Sequence, residues 1–291
     1  MILAGCRYIY HPSHTDALRL WFLADIHWWN KDCVRNLFRS HVKAIADDPN
    51  ALWIGMGDYN EYISPRDAKR ADFTQFDESV LACELADGSI QADAVAEEMN
   101  PIKGKCLGLT LGNHEWSYQT HQEQSKLHND MCGKLGVTNL GYSWAMNLVF
   151  VNKGLSGVVS NRPPKASHHC FTVPTVGHHG AGGASTVAGK MNTLKRLMST
   201  FQARLYVMAH VHEQIAFVDP QLGFDRACKE IVDSGRLGII TGSYLKSYGD
   251  SSSPGYHERA LGRASFLGAA TVDVYPWRKR ENLVAKVALT I

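Results

Sequence analysis

Apolar residues along this chain fall into two kinds of run. Residues 18–24 (Leu-Arg-Leu-Trp-Phe-Leu-Ala) and 51–56 (Ala-Leu-Trp-Ile-Gly-Met) are short, rich in aromatic and branched side chains, and stop just short of Asp25 and Asp58; runs of this kind predict buried strands. Between them, Val34, Leu37, Phe38, Val42 and Ile45 recur at helical spacing over 33–46, so the segment predicts a β-α-β unit. The same patterns predict strands over 106–111, 170–176, 205–208, 238–240, 269–275 and 283–289, and helices over 115–135 and 188–201. Alternating elements followed by strand-rich sequence imply an α/β protein with two packed sheets and helices outside them. No repeat, low-complexity tract or linker divides the chain, so a single domain over 1–291 is expected. The stretch at about 61–105 is longer than a β-α-β connection needs and predicts a helical insertion. Between 67 and 98 it carries nine acidic residues against Lys69 and Arg70. That balance would repel a phosphate backbone if the insertion overhung a site, and it equally suits a solvated helical face.

Composition narrows the class. A chain of 291 residues can bury about 75% of its unfolded surface. No apolar stretch approaches the roughly 18 residues of a membrane-spanning helix, and the start lacks a basic segment followed by an apolar one; a cytoplasmic protein with no membrane contact is expected. Seven cysteines without a Cys-x-x-Cys pair suit free thiols in a reducing compartment. A net charge of +2 does not mark a nucleic-acid binder. Histidine is the unusual count: fourteen, six of them in the motifs described next.

Five motifs follow one another: Asp25-Ile26-His27, Gly57-Asp58-Tyr59-Asn60-Glu61, Gly112-Asn113-His114-Glu115, His178-His179-Gly180 and Ala209-His210-Val211-His212. Each offers oxygen or imidazole ligands and follows an apolar run, so the side chains can converge at one edge of a sheet. Asp25 and His27 lie two apart and can project to one side of a strand end to grip one cation. The donor set contains no thiolate, which suits manganese, iron, zinc, nickel or cobalt and disfavours copper(I). In order, spacing and residue type over nearly two hundred residues, the chain resembles the calcineurin-like metallophosphoesterases. Residues 241–245 and 255–256 also look like a phage and prokaryotic subgroup of these enzymes.

The resemblance implies a four-layer α/β/β/α sandwich of two mixed sheets flanked by helices, and two divalent transition-metal ions. It assigns Asp25, His27, Asp58 and His212 to the first metal and Asp58, Asn113, His178 and His210 to the second. Asp58 would bridge the ions, needing two coordinating oxygens, and a water between the cations would become hydroxide near neutral pH. Either His178 or His179 could be the ligand; the family pattern favours His178, with His179 touching substrate or packing. The resemblance implies that His114 faces the substrate as general acid, oriented by Glu61, with Asn113 and His179 also at the substrate. Glu115 is expected to support the loop. Trp28, Trp29, Tyr59, Trp116 and Tyr118 adjoin the motifs and could stack on an aromatic ester or simply pack.

Two departures matter. Ala209 replaces the glycine that usually opens Gly-His-x-His, without removing a ligand. Tyr62-Ile63 and Leu111 stand where protein Ser/Thr phosphatases of the superfamily carry arginine, which lowers the case for a phosphoprotein phosphatase. Hydrolysis of small phosphodiesters is therefore expected ahead of phosphomonoesters. A DNA or RNA nuclease is the alternative, and a non-catalytic metal-stabilised scaffold, from another class, is disfavoured by the intact His114.

Overall fold

Leu18, Leu20 and Phe22 face one side of their strand, and Trp21 and Leu23 the other. Apolar residues on both faces place this strand inside a stack of layers rather than at its surface. The computed structural model describes residues 1–62, 88–121, 126–165, 167–224, 227–249, 254–259, 261–278 and 282–287. Its strands are β1 (Ile2–Tyr10), β2 (Leu18–Leu23), β3 (Ala51–Gly55), β4 (Cys106–Thr110), β5 (Asn139–Gly141), β6 (Ser143–Val151), β7 (Val158–Ser160) and β8 (Cys170–His178). There follow β9 (Leu205–Met208), β10 (Ile215–Asp219), β11 (Leu222–Phe224), β12 (Ile231–Asp233), β13 (Arg236–Ile240), β14 (Ala270–Val274) and β15 (Leu283–Lys286). The helices are α1 (Arg35–Asp47), α2 (Gly88–Met99), α3 (Asn113–His121), α4 (Leu127–Leu135), α5 (Val187–Thr200) and the short α6 (Tyr256–Arg259).

Two mixed sheets form, one in the order β15-β14-β2-β3-β4-β5 and one in the order β10-β13-β9-β8-β6-β1-β7, with β11 and β12 as a separate ribbon. Leu20, Phe22, Leu52 and Ile54 of the first sheet interlock with Trp144, Leu148, Phe150, Leu205 and Val207 of the second to make the central core. On the outer face of the first sheet, Trp53 and Leu109 meet Phe38, Val42 and Ile45 of α1 and Val95 and Met99 of α2. On the outer face of the second, Tyr206, Met208 and Ile240 meet Leu194 and Met198 of α5. Helix, sheet, sheet and helix thus stack as four layers, the sandwich expected. Among the described residues no helix is long and apolar enough to cross a membrane.

Helix ends are secured locally. Lys105 Nζ donates to the carbonyls of Ile45 (2.6 Å), Ala46 (3.0 Å) and Asp48 (2.7 Å), setting a cation on the negative end of α1. Thr186 caps α5 by accepting from Gly189 N at 3.2 Å.

Three differences from the sequence expectations have physical causes. The single helix predicted over 115–135 is two, α3 and α4, because no apolar residue lies between Tyr118 and Leu127; residues 122–125 lie outside the described residues. Strands β1, β5, β6, β7 and β10 to β12 are additional. Within β6, Trp144, Met146, Leu148 and Phe150 alternate toward the core, and this strand lies between β1 and β8. In the expected insertion, α2 and a 3₁₀ turn over Asn100–Lys105 are helical, while most of its acidic stretch, residues 63–87, lies outside the described residues.

Candidate metal centre

Parallel strands β2, β3 and β4 of one sheet, and β8 and β9 of the other, end on the same side, so their carboxyl-terminal loops meet across the sandwich. Backbone bonds lock these loops together. Asp25 N donates to Gly57 O (3.0 Å), Ile26 N to Asp58 O (2.9 Å) and Trp28 N to Tyr59 O (3.0 Å). Between sheets, His210 N donates to Asp25 Oδ2 at 3.0 Å, and Ala209 N donates to His179 O at 2.8 Å within the second.

The loops are strained where the chemistry sits. Asp25, His27, Asp58, His210 and His212 all hold positive φ, between 48° and 73°, at a cost on the order of 1–3 kcal/mol each. Surrounding hydrogen bonds must hold these residues in place, which turns their side chains inward toward one another. Two glycines permit the approach of the Asp58 and Asn113 loops. Gly57 has φ +98°, and a Cβ there would lie 2.5 Å from His179 Nδ1 and 2.7 Å from Gly112 Cα. A Cβ on Gly112 would collide with Asp58 N and Oδ1.

Asp58 stands at the middle of the resulting cluster. Donor atoms of Asp25, His27 and His212, of His27, Asp58 and His114, and of Asp58, His179 and His210 each lie within 4.8 Å of one another. His27 Nε2 and His212 Nε2 are 3.3 Å apart, and His212 Nε2 is 3.6 Å from Asp25 Oδ1. His179 Nε2 is 3.2 Å from Asp58 Oδ2 and 2.9 Å from Asn113 Oδ1. Asp58 Oδ1 accepts from His114 N at 2.9 Å, at the positive end of α3.

Burial sets the electrostatics. It pushes the Asp25 carboxyl up to about 7 against the pull of the His179 charge. Burial also opposes ionisation of Asp58, but charge on His179 and His114 outweighs it and holds that carboxyl well below its ordinary value. For His27, burial disfavours the cation, yet Glu61 and then Asp58 and Asp25 raise it to about 9. His179 rises to about 9 likewise, with Asp58 overcoming burial, while burial lowers His210 to about 4.

These features fit a metal. Asp25 Oδ1 is buried and accepts no hydrogen bond among the described residues. Two imidazole nitrogens face each other at 3.3 Å, and His179 Nε2 faces two oxygens. Buried carboxylates demand positive charge, and it is the carboxylates beside them that raise His27 and His179.

Partners behind the cluster fix ring orientation. His179 Nδ1 is 2.7 Å from Met56 O, which favours a proton on Nδ1 and turns Nε2 to the cluster. His27 Nδ1 lies 2.9 Å from Glu61 Oε1, and Asn30 Nδ2 donates to the same oxygen at 2.8 Å. Burial would raise the Glu61 carboxyl, but the His27 charge and bonds lower it to about 2. Glu115 accepts from Asp58 N (3.0 Å), Tyr59 N (2.7 Å) and Gly112 N (2.9 Å), the loop support expected of it.

The geometry departs from the sequence expectation at two places. His178, the residue favoured as ligand, is outside the cluster: its Nδ1 accepts from Gly180 N at 2.8 Å, and His179 occupies the position beside Asp58 instead. The carboxylate of Glu61, expected to orient His114, reaches His27; His114 Nδ1 is 3.9 Å from Glu61 Oε2 and 2.6 Å from the Glu61 carbonyl. Asn113 and His114 stand at the cluster as expected. Sequence reasoning missed Asn30, Tyr142 and the Met56 carbonyl. Tyr142 packs edge-on against His178 and His179, with ring centroids 5.3 and 5.4 Å away. A backbone carbonyl leaves no mark in a sequence, and neither Asn30 nor Tyr142 belongs to a motif. Tyr59 and Tyr118 are buried and donate to or accept from backbone, so they pack, whereas Trp116 is exposed.

No curated protein matches the sequence. Among solved structures the chain is similar to Vps29 from Chaetomium thermophilum, at 9% identity over 94% of this chain and 95% of that one with a TM-score of 0.37. It is similar to a metallophosphoesterase from Sphaerobacter thermophilus, at 13% identity over 90% and 84% with a TM-score of 0.31. NAD nucleotidase from Haemophilus influenzae aligns at 11% identity over 94% of this chain and 49% of that one, with a TM-score of 0.39. The profile of the calcineurin-like phosphoesterases matches residues 18–214, more than half of the chain. The chain belongs to the calcineurin-like phosphoesterase family and is a metal-dependent hydrolase of phosphate esters.

Proposed function

We propose that the protein is a phosphodiesterase that holds two divalent transition-metal ions on either side of Asp58. One set of ligands is Asp25, His27, Asp58 and His212; the other is Asp58, Asn113, His179 and His210. Bound there, the metals supply Lewis acidity and an activated water. Asp58, at the middle of the cluster, would be shared by both sets. Asn113, at the start of α3, holds its amide oxygen beside His179. Glu61 and Met56 set the ring orientations of His27 and His179.

His114 acts on the substrate. A proton on Nδ1, directed at the Glu61 carbonyl, anchors the ring and presents Nε2 on its opposite edge. In the imidazolium, Nε2–H stabilises the phosphoryl oxygens and protonates the leaving alkoxide.

Preference for a diester rests on one observation, the absence of a cationic clamp at the two places where phosphatases carry arginine. Leu111 and Tyr62 are both buried, and Tyr62 N donates to Gln91 Oε1 at 3.1 Å. At these two places a monoester dianion would find no guanidinium to suit its second charge. The test compares kcat/KM for an aryl phosphodiester, its matching monoester and a duplex oligonucleotide under one metal loading. The diester is expected to be fastest. A tenfold monoester advantage, or efficient duplex cleavage that falls steeply with salt, would overturn the assignment.

A further inference from the structure

Residues 241–246 lie beyond the segment that matches the family profile, which ends at residue 214, yet they hold the backbone behind the metal cluster. They follow β13 and bond to the ends of both β9 and β2, the strands of the two sheets that lead to His210 and to Asp25. Thr241 N donates to Met208 O at 2.9 Å, and Thr241 Oγ1 donates to Phe22 O at 2.6 Å. One buried residue therefore ties the two ligand-bearing strands across the sandwich.

Ser243, also buried, reaches the ligand loop itself. Its Oγ accepts from Leu245 N at 2.9 Å and donates its proton to Asp25 O at 2.8 Å. Tyr244 N donates to the same carbonyl at 3.0 Å, and Asp25 N bonds to Gly57 O. Asp25 Oδ2 accepts from His210 N. Every polar atom of Asp25 is thus held except Oδ1, which is buried and lies 3.6 Å from His212 Nε2. Asp25 has φ 48°, a conformation that persists only where its surroundings over-determine it. Two donors on one carbonyl supply that constraint by fixing the plane of the peptide that follows.

The segment has its own anchors. Val34 N donates to Tyr244 O (2.8 Å), Lys246 N to Asp32 O (3.1 Å) and Gly268 N to Ser243 O (2.8 Å). Tyr244 is buried, with its hydroxyl 2.9 Å from His41 Nδ1 and its ring edge-on to Phe38 of α1. None of these contacts involves a residue of the cluster.

Resting on the ligand sets given under the proposed function, we propose that Thr241 and Ser243 are positioning residues for the metal centre. Their hydroxyls lock the end of β2 and the Asp25 peptide, so that Oδ1 is held ready for the ion shared with His27 and His212. A carboxylate set in place beforehand binds without the cost of ordering its loop.

The experiment titrates the metal-free full chain with cobalt(II) in competition with a chelator, followed by visible absorption. The wild type is expected to take up two ions. Ser243→Ala should weaken one of them by about 10–100-fold, the range for removing a group that orients a ligand, and leave the other near its wild-type affinity. Thr241→Val should weaken the same ion, and Thr241→Ser, which keeps the hydroxyl, should not. Tyr206→Phe is the comparison. The Tyr206 hydroxyl donates to Phe201 O and accepts from Ala203 N, both at 2.7 Å, before the start of β9. Its loss should lower Tm without changing cobalt affinity. In the metal-free chain, amide exchange at Ile26 and His27 should speed up in Ser243→Ala and not in Tyr206→Phe.

Unchanged cobalt affinity in Ser243→Ala and Thr241→Val, a loss shared equally by both ions, or an equal loss in Tyr206→Phe would overturn the proposal. If Ser243→Ala does not fold, the Thr241 pair decides by the same readout. Uptake of fewer than two ions by the wild type would instead overturn the two-metal reading, and the amide exchange would still judge the role of Ser243.

Discussion

His179 and His178 are adjacent, yet their replacement by alanine should have opposite consequences. His179 is buried, with Nδ1 2.7 Å from Met56 O and Nε2 against Asn113 and Asp58. Removing the imidazole leaves the Met56 carbonyl buried without its partner, a cost of about 1–3 kcal/mol. The vacated space adds a cavity term, so a total of roughly 2–4 kcal/mol is expected. For a chain of this size that lowers Tm by about 3–7 °C. The loss of one of the proposed metal donors should weaken metal binding by more than the roughly 10–100-fold typical of a supporting residue. His178 is half-buried and accepts one hydrogen bond, from Gly180 N, so His178→Ala should cost only about 0.5–1.5 kcal/mol and leave metal content unchanged. Elemental analysis after gel filtration, paired with thermal melts of the metal-free proteins, reads both effects. Metal loss in His178→Ala with full occupancy in His179→Ala would refute the assignment of His179.

Glu61→Gln should act through His27: weakening the contact with Nδ1 is expected to lower metal affinity by about 10–100-fold, measured by competition with a chelator. His114→Ala should retain metal and lower turnover by roughly 10²–10⁴; a variant that loses metal instead would move His114 into the ligand set. Gly112→Ala places a methyl group against Asp58 N and Oδ1, so it should lose metal binding and lower Tm, whereas Gly104→Ala, with open space around its Cβ position, should do neither.

Much of this site was visible in the chain because its residues lie immediately after strands. A short apolar run that stops at Asp25 or Asp58 announces both the strand and the loop that follows it, and a β-α-β unit forces parallel strands whose ends open on the same side. That local logic covers β2, β3, β4, β8 and β9. It did not reveal β6, whose alternating Trp144, Met146, Leu148 and Phe150 were as apolar as any strand predicted, nor the weaker edge strands, whose existence depends on neighbours they pair with.

Sequence by itself therefore determined the inventory of candidate ligands and their order, which follow from residue type, and two packed sheets with helices outside, which follow from the periods of strand and helix; the four-layer sandwich came with the family resemblance that the motifs carry. Only the tertiary structure decided which neighbouring side chain stands in the cluster and which stands outside it. His178 is the last residue of β8, paired with Met208 of β9, while His179 begins the loop; consecutive positions at a strand end point in different directions, so register selects one imidazole and excludes the other. Glu61 reaches His27 rather than His114 because the loops after β2 and β3 run side by side, joined from Asp25 to Tyr59 by backbone bonds. Such distances are set by the packing of two sheets, which no local pattern of residues encodes.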